Sequence, residues 1–152
     1  MALDDTIALL KRVPLIGKFD PDALRLLAFS AETRPLRDEE VLFSRGDRSD
    51  GGYVVLSGTI GIAPRPDEPE IVIGPGSLIG QVALFARIDR PATATARGAA
   101  EVLRISPTMI RRVLAEFHAA AQGMRDAMAA DLQGLTADLT RMGDRLLAIG
   151  RN

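Results

Sequence analysis

Residues 80–94 read Gly-Gln-Val-Ala-Leu-Phe-Ala-Arg-Ile-Asp-Arg-Pro-Ala-Thr-Ala, which places a glycine, a short helical stretch and an arginine in a fixed order. Gly80 allows the backbone to approach a ligand closely, because it has no Cβ atom. Residues 81–85 are compatible with one helical turn, whose unpaired N–H groups attract anions. Arg90 follows at the start of a strand and supplies a guanidinium, which binds phosphate through charge-assisted hydrogen bonds. The segment predicts an anion pocket without identifying the ligand.

Short β segments surround this stretch on both sides. The strand-like runs are Glu40 to Phe43, Tyr53 to Leu56, Thr59 to Ala63, Glu70 to Ile73, Ala92 to Ala96 and Val102 to Ile105. Turn sequences rich in glycine, proline and aspartate separate them, including Ser57-Gly58. Such spacing favours an antiparallel sandwich or jelly roll over a parallel sheet. The predicted fold class is mainly β with flanking helices: a double-stranded β-helix (jelly roll) barrel, N-terminal helices and a long C-terminal helix.

Helical patterns flank the β region. Leu3, Ile7 and Leu10 recur at helical spacing, and Asp20-Pro21 is a capping residue followed by a proline in the first turn. Ser106-Pro107 marks a similar helix start, and the tail is predicted to be helical with a break near residues 116–120. We expect one domain over residues 1–152, with N-terminal helices over 1–32, the jelly roll over 33–105 and C-terminal helices over 106–152.

Apolar residues of the tail follow alternating spacings of three and four. They are Met128, Leu132, Leu135, Leu139, Met142, Leu146 and Ile149. This is the a/d pattern of a coiled-coil seam. The alternative is an amphipathic helix packed on its own domain. Because two-fold symmetric dimers are the commonest oligomers, we expect a homodimer through this helix, parallel or antiparallel.

The composition argues against several classes of protein. The 152 residues include no cysteine and one histidine, so thiolate chemistry is excluded and a metal site is not expected. The formal net charge of -1 argues against a dedicated nucleic-acid surface. No segment approaches the roughly 20 apolar residues of a membrane span, and the N-terminus is acidic rather than signal-like. We therefore expect a cytoplasmic protein that does not insert into membranes.

Several blocks in order resemble cyclic nucleotide-binding domains of the Crp/Fnr type. Residues 80–94 resemble the phosphate-binding cassette of that family, whose usual pattern is Gly-Glu, a short helix and Arg-(Ser/Thr/Ala)-Ala. Residues 43–47 resemble the turn after the second strand, and residues 53–58 the strand that ends in the family glycine. Residues 73–76 resemble the loop before the cassette, and residues 101–106 the final strand.

This resemblance implies a regulatory sensor for cAMP or cGMP that needs no cofactor. Arg90 would pair with the cyclic phosphate, backbone amides near Gly80 and Ala83 would hold its oxygens, and residue 81 would face the ribose 2′-hydroxyl. The C-terminal helix would cover the base and transmit binding by rearranging. The predicted ligand-binding residues are Gly80, Gln81, Val82, Ala83, Arg90, Pro91 and Ala92.

Two of these positions depart from the family pattern. Gln81 replaces a glutamate, which costs about 1 kcal/mol because the bond to a hydroxyl loses its charge assistance. Pro91 has no N–H where the family commonly donates one to phosphate, a loss of ~1–3 kcal/mol. These departures leave open an alternative: a degenerate fold that acts as a dimeric protein-interaction module without nucleotide. An enzyme on this barrel would need metal ligands that one histidine cannot supply, so we predict no catalytic residue.

Two further expectations concern output and the acidic turns. Relatives of the Crp/Fnr type add a DNA-reading helix-turn-helix after the dimer helix, and the sequence to Asn152 contains none. We therefore expect no direct DNA binding and an output through an unidentified downstream protein. Glu39-Glu40 and the stretch Asp47 through Asp50 are interpreted as solvated turn charges. Tyr53 is interpreted as a residue of the core.

Overall fold

A computed structural model describes residues 2–117 together with 122, 123, 125, 126 and 129. Its helices are α1 (Leu3–Leu10), α2 (Pro21–Ser30) and α3 (Pro107–Glu116), with short 3₁₀ helices at Ile16–Lys18 and Val82–Leu84. Its strands are β1 (Glu32–Leu36), β2 (Val41–Phe43), β3 (Gly52–Ala63), β4 (Ile71–Ile73), β5 (Leu78–Ile79) and β6 (Thr93–Ile105). The described positions between 122 and 129 are again helical.

The two longest strands, β3 and β6, form the centre of an antiparallel sheet. They pair from Gly52 opposite Ile105 to Ala63 opposite Thr93. Strands β1 and β2 also pair with β6, while β4 and β5 pair with β3. The prediction of a mainly antiparallel β domain with flanking helices, of the jelly-roll type, is confirmed.

Side chains that alternate along β3 contribute to two separate hydrophobic cores. Val54 and Leu56 pack against the helices α1, α2 and α3. Tyr53, Val55 and Ile60 point to the other face, where they meet the small alanines of β6 and side chains of β1 and β2. This alternation is the period of two that places successive side chains on opposite faces of a strand. The second core, inside the jelly roll, borders the candidate site.

The predicted break at Ser57-Gly58 is wrong, because β3 runs through both residues. The register between β3 and β6 shifts there, and Gly58 has a φ of 76°. The two residues therefore form an irregularity of the bulge kind, which bends a strand without ending it. The two predicted strands from Ala92 to Ile105 are likewise one strand, β6.

Both predicted helix starts, at Asp20-Pro21 and Ser106-Pro107, are observed, but only the start of α3 has a side-chain capping bond among the described residues. The Ser106 hydroxyl accepts a hydrogen bond from the Met109 amide at 3.1 Å, and Pro107 occupies the first turn of α3. Asp20 precedes α2 without a cap bond from its side chain. Helix α3 ends at Glu116, within the predicted break. All seven residues of the predicted dimer seam lie outside the described residues.

Candidate functional site: a cavity around Arg90

A cavity of about 440 Å³ opens beside the second core. The residues that line it are Phe43, Ile62, Ile79, Gly80, Gln81, Val82, Ile88, Arg90, Pro91 and Ala92. Among these described residues Arg90 alone carries a charge. A largely apolar cavity with few polar groups is the usual form of a small-molecule site.

The Arg90 side chain is buried, with 3% of its surface exposed. Its Nη2 atom donates to Asp50 Oδ1 at 3.1 Å and to the Gly51 carbonyl at 2.8 Å. Its guanidinium carbon lies 4.2 Å from the centre of the Phe43 ring, within the range of a cation–π contact. These contacts fix the direction of the guanidinium next to an apolar cavity.

The backbone around Arg90 is tied to the turn after β2. The Arg90 amide donates to the Asp47 carbonyl at 2.8 Å, and the Gly46 amide donates to the Arg90 carbonyl at 2.8 Å. That turn closes on itself, because the Ser44 amide donates to Asp47 Oδ2 at 2.9 Å. The arginine is therefore held by main chain on one side and by Asp50 on the other.

Gly80 lies directly against Arg90. Its φ is 78°, a backbone conformation that residues with a side chain rarely adopt. A Cβ atom at this position would lie 2.7 Å from Arg90 Nη1. The absence of a side chain thus allows the guanidinium to rest on the backbone at residue 80. The sequence predicts a close approach of a ligand to Gly80, which stays a prediction; the group that lies against Gly80 in this structure is the Arg90 guanidinium.

Asp50 connects three polar side chains at the edge of the site. Its carboxylate contacts Arg90, lies 3.2 Å from Arg104 Nε and accepts a hydrogen bond from the Tyr53 hydroxyl at 3.1 Å. The interpretation of Asp50 as a solvated turn charge is therefore wrong, although 52% of its side chain is exposed. Sequence reasoning missed it because Arg90 and Arg104 are 40 and 54 residues away along the chain. The signal that the sequence did offer was the position of this aspartate, directly before Gly51-Gly52 and Tyr53.

Burial, followed by the nearby Asp50 charge and its hydrogen bond, raises the pKa of Tyr53. The tyrosine is a core residue, as predicted, with 1% of its surface exposed. Its ring also lies 6.1 Å from the ring of Phe43, between centres. Tyr53 therefore supports the Asp50 carboxylate from inside the second core.

The segment 81–85 forms the predicted helical turn, with a 3₁₀ helix at Val82–Leu84. The Leu84 amide donates to the Gln81 carbonyl at 3.2 Å. Val82 is exposed at the mouth of the cavity, whereas Ala83 is fully buried and does not line it. Six of the seven predicted ligand-binding residues therefore surround one cavity, and Ala83 lies behind them.

Ser49 holds the loop between the 3₁₀ helix and Arg90. Its hydroxyl accepts from the Ile88 amide at 2.9 Å, and its own amide donates to the Ile88 carbonyl at 2.8 Å. The Arg48–Asp89 ion pair at 3.4 Å reinforces this contact only weakly, since both side chains are exposed. Sequence reasoning did not single out Ser49.

Neither a metal cluster nor a membrane-spanning helix is found in the part of the chain that the structure describes. No group of three or more histidine, aspartate or glutamate side chains is placed there to hold a metal ion. The helices described above are also too short or too polar to cross a bilayer.

The sequence and the described fold match those of known proteins. Residues 33–117, more than half of the chain, match the family described as the cyclic nucleotide-binding domain. A solved cyclic nucleotide-binding-like protein from Brucella abortus bv. 1 str. 9-941 is 40% identical, with a TM-score of 0.65 over 73% of this chain and 98% of that chain. The N-terminal domain of a transcriptional regulator from Streptomyces coelicolor A3(2) is 29% identical, with a TM-score of 0.79 over 86% of this chain and 94% of that one.

A curated relative from Rhodopseudomonas palustris bears the name of a candidate potassium channel protein. It is 24% identical over 110 residues, which are 71% of this chain and 27% of that protein. The chain thus spans about a quarter of the length of this relative. The resemblance drawn from residues 80–94 and their flanking blocks is confirmed by the family match and by both solved structures. This chain belongs to the cyclic nucleotide-binding domain family.

Proposed function

We propose that the chain is a regulatory module that binds cAMP or cGMP in the cavity around Arg90. The observation that carries this proposal is one buried guanidinium in the wall of an otherwise uncharged cavity of about 440 Å³. A cyclic nucleotide carries one negative charge on its phosphate, which matches one cation, and the flat faces of its purine base can pack on apolar walls. Membership of the cyclic nucleotide-binding domain family supports the same ligand class.

The cyclic phosphate pairs with Arg90, whose orientation is set before binding by Asp50 and Gly51. Such preorganisation lowers the entropic cost of binding. In this proposal Gln81 faces the ribose, while Ile62, Ile79 and Val82 supply apolar surface for the remainder of the ligand. The backbone amide near Ala83, rather than its side chain, contacts the phosphate.

The proposed output is a rearrangement of the C-terminal helix. The ligand shifts the protein toward a closed state only by binding that state more tightly. Residues 128–149 pair two copies of the chain in a homodimer, so closure changes how the two protomers are arranged. The proposal includes one domain over residues 1–152, a cytoplasmic location, no catalytic activity and a downstream protein partner.

A second candidate function is a dimeric protein-interaction module without nucleotide. Pro91 favours it, because this residue lines the cavity and has no N–H to offer a phosphate. Gln81 favours it as well, since its side chain is neutral. In that case the cavity would be a remnant of the family fold.

Calorimetric titration of the full chain with cAMP and with cGMP tests the proposal. We expect saturable binding of at least one nucleotide, and Arg90→Lys should weaken it about tenfold or more because a lysine cannot form the guanidinium fork. Arg48→Lys is the matched control, since that exposed arginine does not line the cavity. Absence of heat for both nucleotides at roughly millimolar concentration would contradict nucleotide binding and favour the interaction module.

A further inference from the structure

A second cavity, of about 460 Å³, lies where β6 ends and α3 begins. Residues 85 and 87 line this cavity, while residues 88 and 90 line the cavity around Arg90. The loop 85–90 therefore separates the two spaces. We call the second one the α3 cavity. Its charged lining residues are Asp50, Arg87, Arg104 and Arg111.

The three arginines of the α3 cavity differ in how far their charge is neutralised. Arg104 lies 3.2 Å from Asp50 Oδ2 and 3.7 Å from Glu32 Oε2, and its Nη2 donates to the Asp50 carbonyl at 2.8 Å. Among the described residues, the polar contact of Arg111 is with a hydroxyl, that of Thr108 at 3.4 Å. Arg87 has no ion pair with any of the described residues. Two guanidiniums thus face this cavity without a carboxylate partner in the described part of the chain.

Two uncompensated arginines beside a concave surface have a clear chemical match. A phosphate group carries close to two negative charges near neutral pH and accepts several hydrogen bonds, and arginine binds it through paired donors. The Thr108 hydroxyl adds a neutral donor, and the half-buried ring of Phe85 supplies an apolar wall. The Met109 amide at the start of α3 is not part of this match, because the Ser106 hydroxyl already accepts its hydrogen bond.

We propose that the α3 cavity is a second anion site, which takes the phosphate group of a free phosphate ion or of an organic phosphate monoester. Arg87 and Arg111 hold the phosphate, and Arg104 lines the floor while its own charge stays paired with Asp50. The site is distinct from the cavity around Arg90, since none of these arginines lines that cavity, although Asp50 contacts both Arg90 and Arg104.

The test uses the full chain labelled with ¹⁵N and titrates it with sodium phosphate at constant ionic strength, with sodium acetate and phenyl phosphate as parallel arms. We expect saturable shifts of the amide signals of residues 49–50, 85–87 and 104–111, and tighter binding of phosphate than of acetate. Tighter binding of phenyl phosphate than of phosphate would assign the site to organic monoesters through Phe85. Equal or weaker binding would assign it to free phosphate.

Variants separate a built site from general charge attraction. The double substitution Arg87→Gln with Arg111→Gln should weaken phosphate binding about tenfold or more, since charge-assisted contacts are lost. Arg37→Gln is the control, because Arg37 is exposed on the turn between β1 and β2 and lines neither cavity. Non-saturating shifts, shifts confined to residues 80–82 and 90–92, acetate binding as tight as phosphate, or equal weakening by Arg37→Gln would each overturn the proposal.

Discussion

Asp50 Oδ1 lies 3.1 Å from Arg90 Nη2 and joins a half-exposed carboxylate to a buried guanidinium. A buried charge that loses its partner is costly, because the protein interior solvates it poorly. The exposure of Asp50 reduces this cost, since water screens the carboxylate. The pair therefore orients Arg90 more than it stabilises the fold.

Replacement of Asp50 by asparagine should lower the free energy of unfolding by about 1–2 kcal/mol, less than the ~3–5 kcal/mol of a fully buried pair. Arg90 retains its bond to the Gly51 carbonyl and its contact with Phe43 in this variant. Urea unfolding measures the change. Asp89→Asn is the control, because the Arg48–Asp89 pair is exposed on both sides and should change stability by less than about 0.5 kcal/mol. Equal losses in the two variants would contradict a special role for Asp50.

Gly80→Ala should be markedly more destabilising than Gly98→Ala. Both glycines have similar positive φ values, 78° and 82°, so both variants pay a backbone cost of about 1–2 kcal/mol. Only at Gly80 would the new methyl group meet Arg90, whereas nothing lies within 4 Å of a Cβ at Gly98. Overpacking adds roughly 1–3 kcal/mol at Gly80. Urea unfolding of both variants gives the difference, and equal values would refute the close contact with Arg90.

Alkaline pH should destabilise the protein through Tyr53. Its raised pKa means that the unfolded chain loses the tyrosine proton first as the pH rises above about 10. The stabilisation is therefore complete below the unfolded pKa and is lost as the pH rises through the folded pKa. The chain has one tyrosine and no tryptophan, so the ultraviolet absorbance of tyrosinate reports this residue alone.

A titration followed by this absorbance should give a higher midpoint for the folded protein than for the protein in urea. Tyr53→Phe should reduce the stability at neutral pH by about 0.5–1.5 kcal/mol through the lost bond to Asp50. The stability difference between wild type and variant should shrink above pH ~10. Identical midpoints in folded and unfolded protein would contradict the burial effect.

Pro91→Ala should tighten cyclic nucleotide binding while it weakens the fold. The alanine restores an N–H at the cavity wall, which is worth about fivefold to 100-fold in affinity. The loss of proline rigidity costs about 0.4–1 kcal/mol of stability. Pro75→Ala provides the control, because that exposed turn proline does not line the cavity and should change stability only. Calorimetry with cAMP and cGMP measures affinity, and an unchanged affinity in Pro91→Ala would contradict a phosphate near residue 91.

The strands were predictable to the extent that apolar runs and turns alternate along the chain. Strand β2 differs by one residue from its prediction, as does β4. The break at Ser57-Gly58 was wrong because a glycine signals either a turn or a bulge, and only the pairing partner on β6 decides between them. Strand β5 has two residues, too few to show any periodicity.

The candidate site was predictable where its residues are contiguous. The pattern of residues 80–92 predicted an anion pocket with Arg90 in it, and residues 80–82 and 90–92 line the observed cavity. Asp50 and Ser49 were missed because each contacts residues about 40 positions away, as the Arg90–Asp50 separation of 40 shows. Ala83 was predicted as a contact through its backbone amide, as the family resemblance implies, and its buried side chain does not line the cavity. The contacts of Asp50 and Ser49 with the segment 86–90 became visible only in the folded structure.

Strands β3 and β6 contribute side chains to both hydrophobic cores, so the two cores share the same central pair of strands. Loss of packing among the helices would remove support from the same backbone that carries Tyr53 and Val55 on its opposite face. We therefore expect the helical layer and the jelly-roll interior to unfold together, in one cooperative transition.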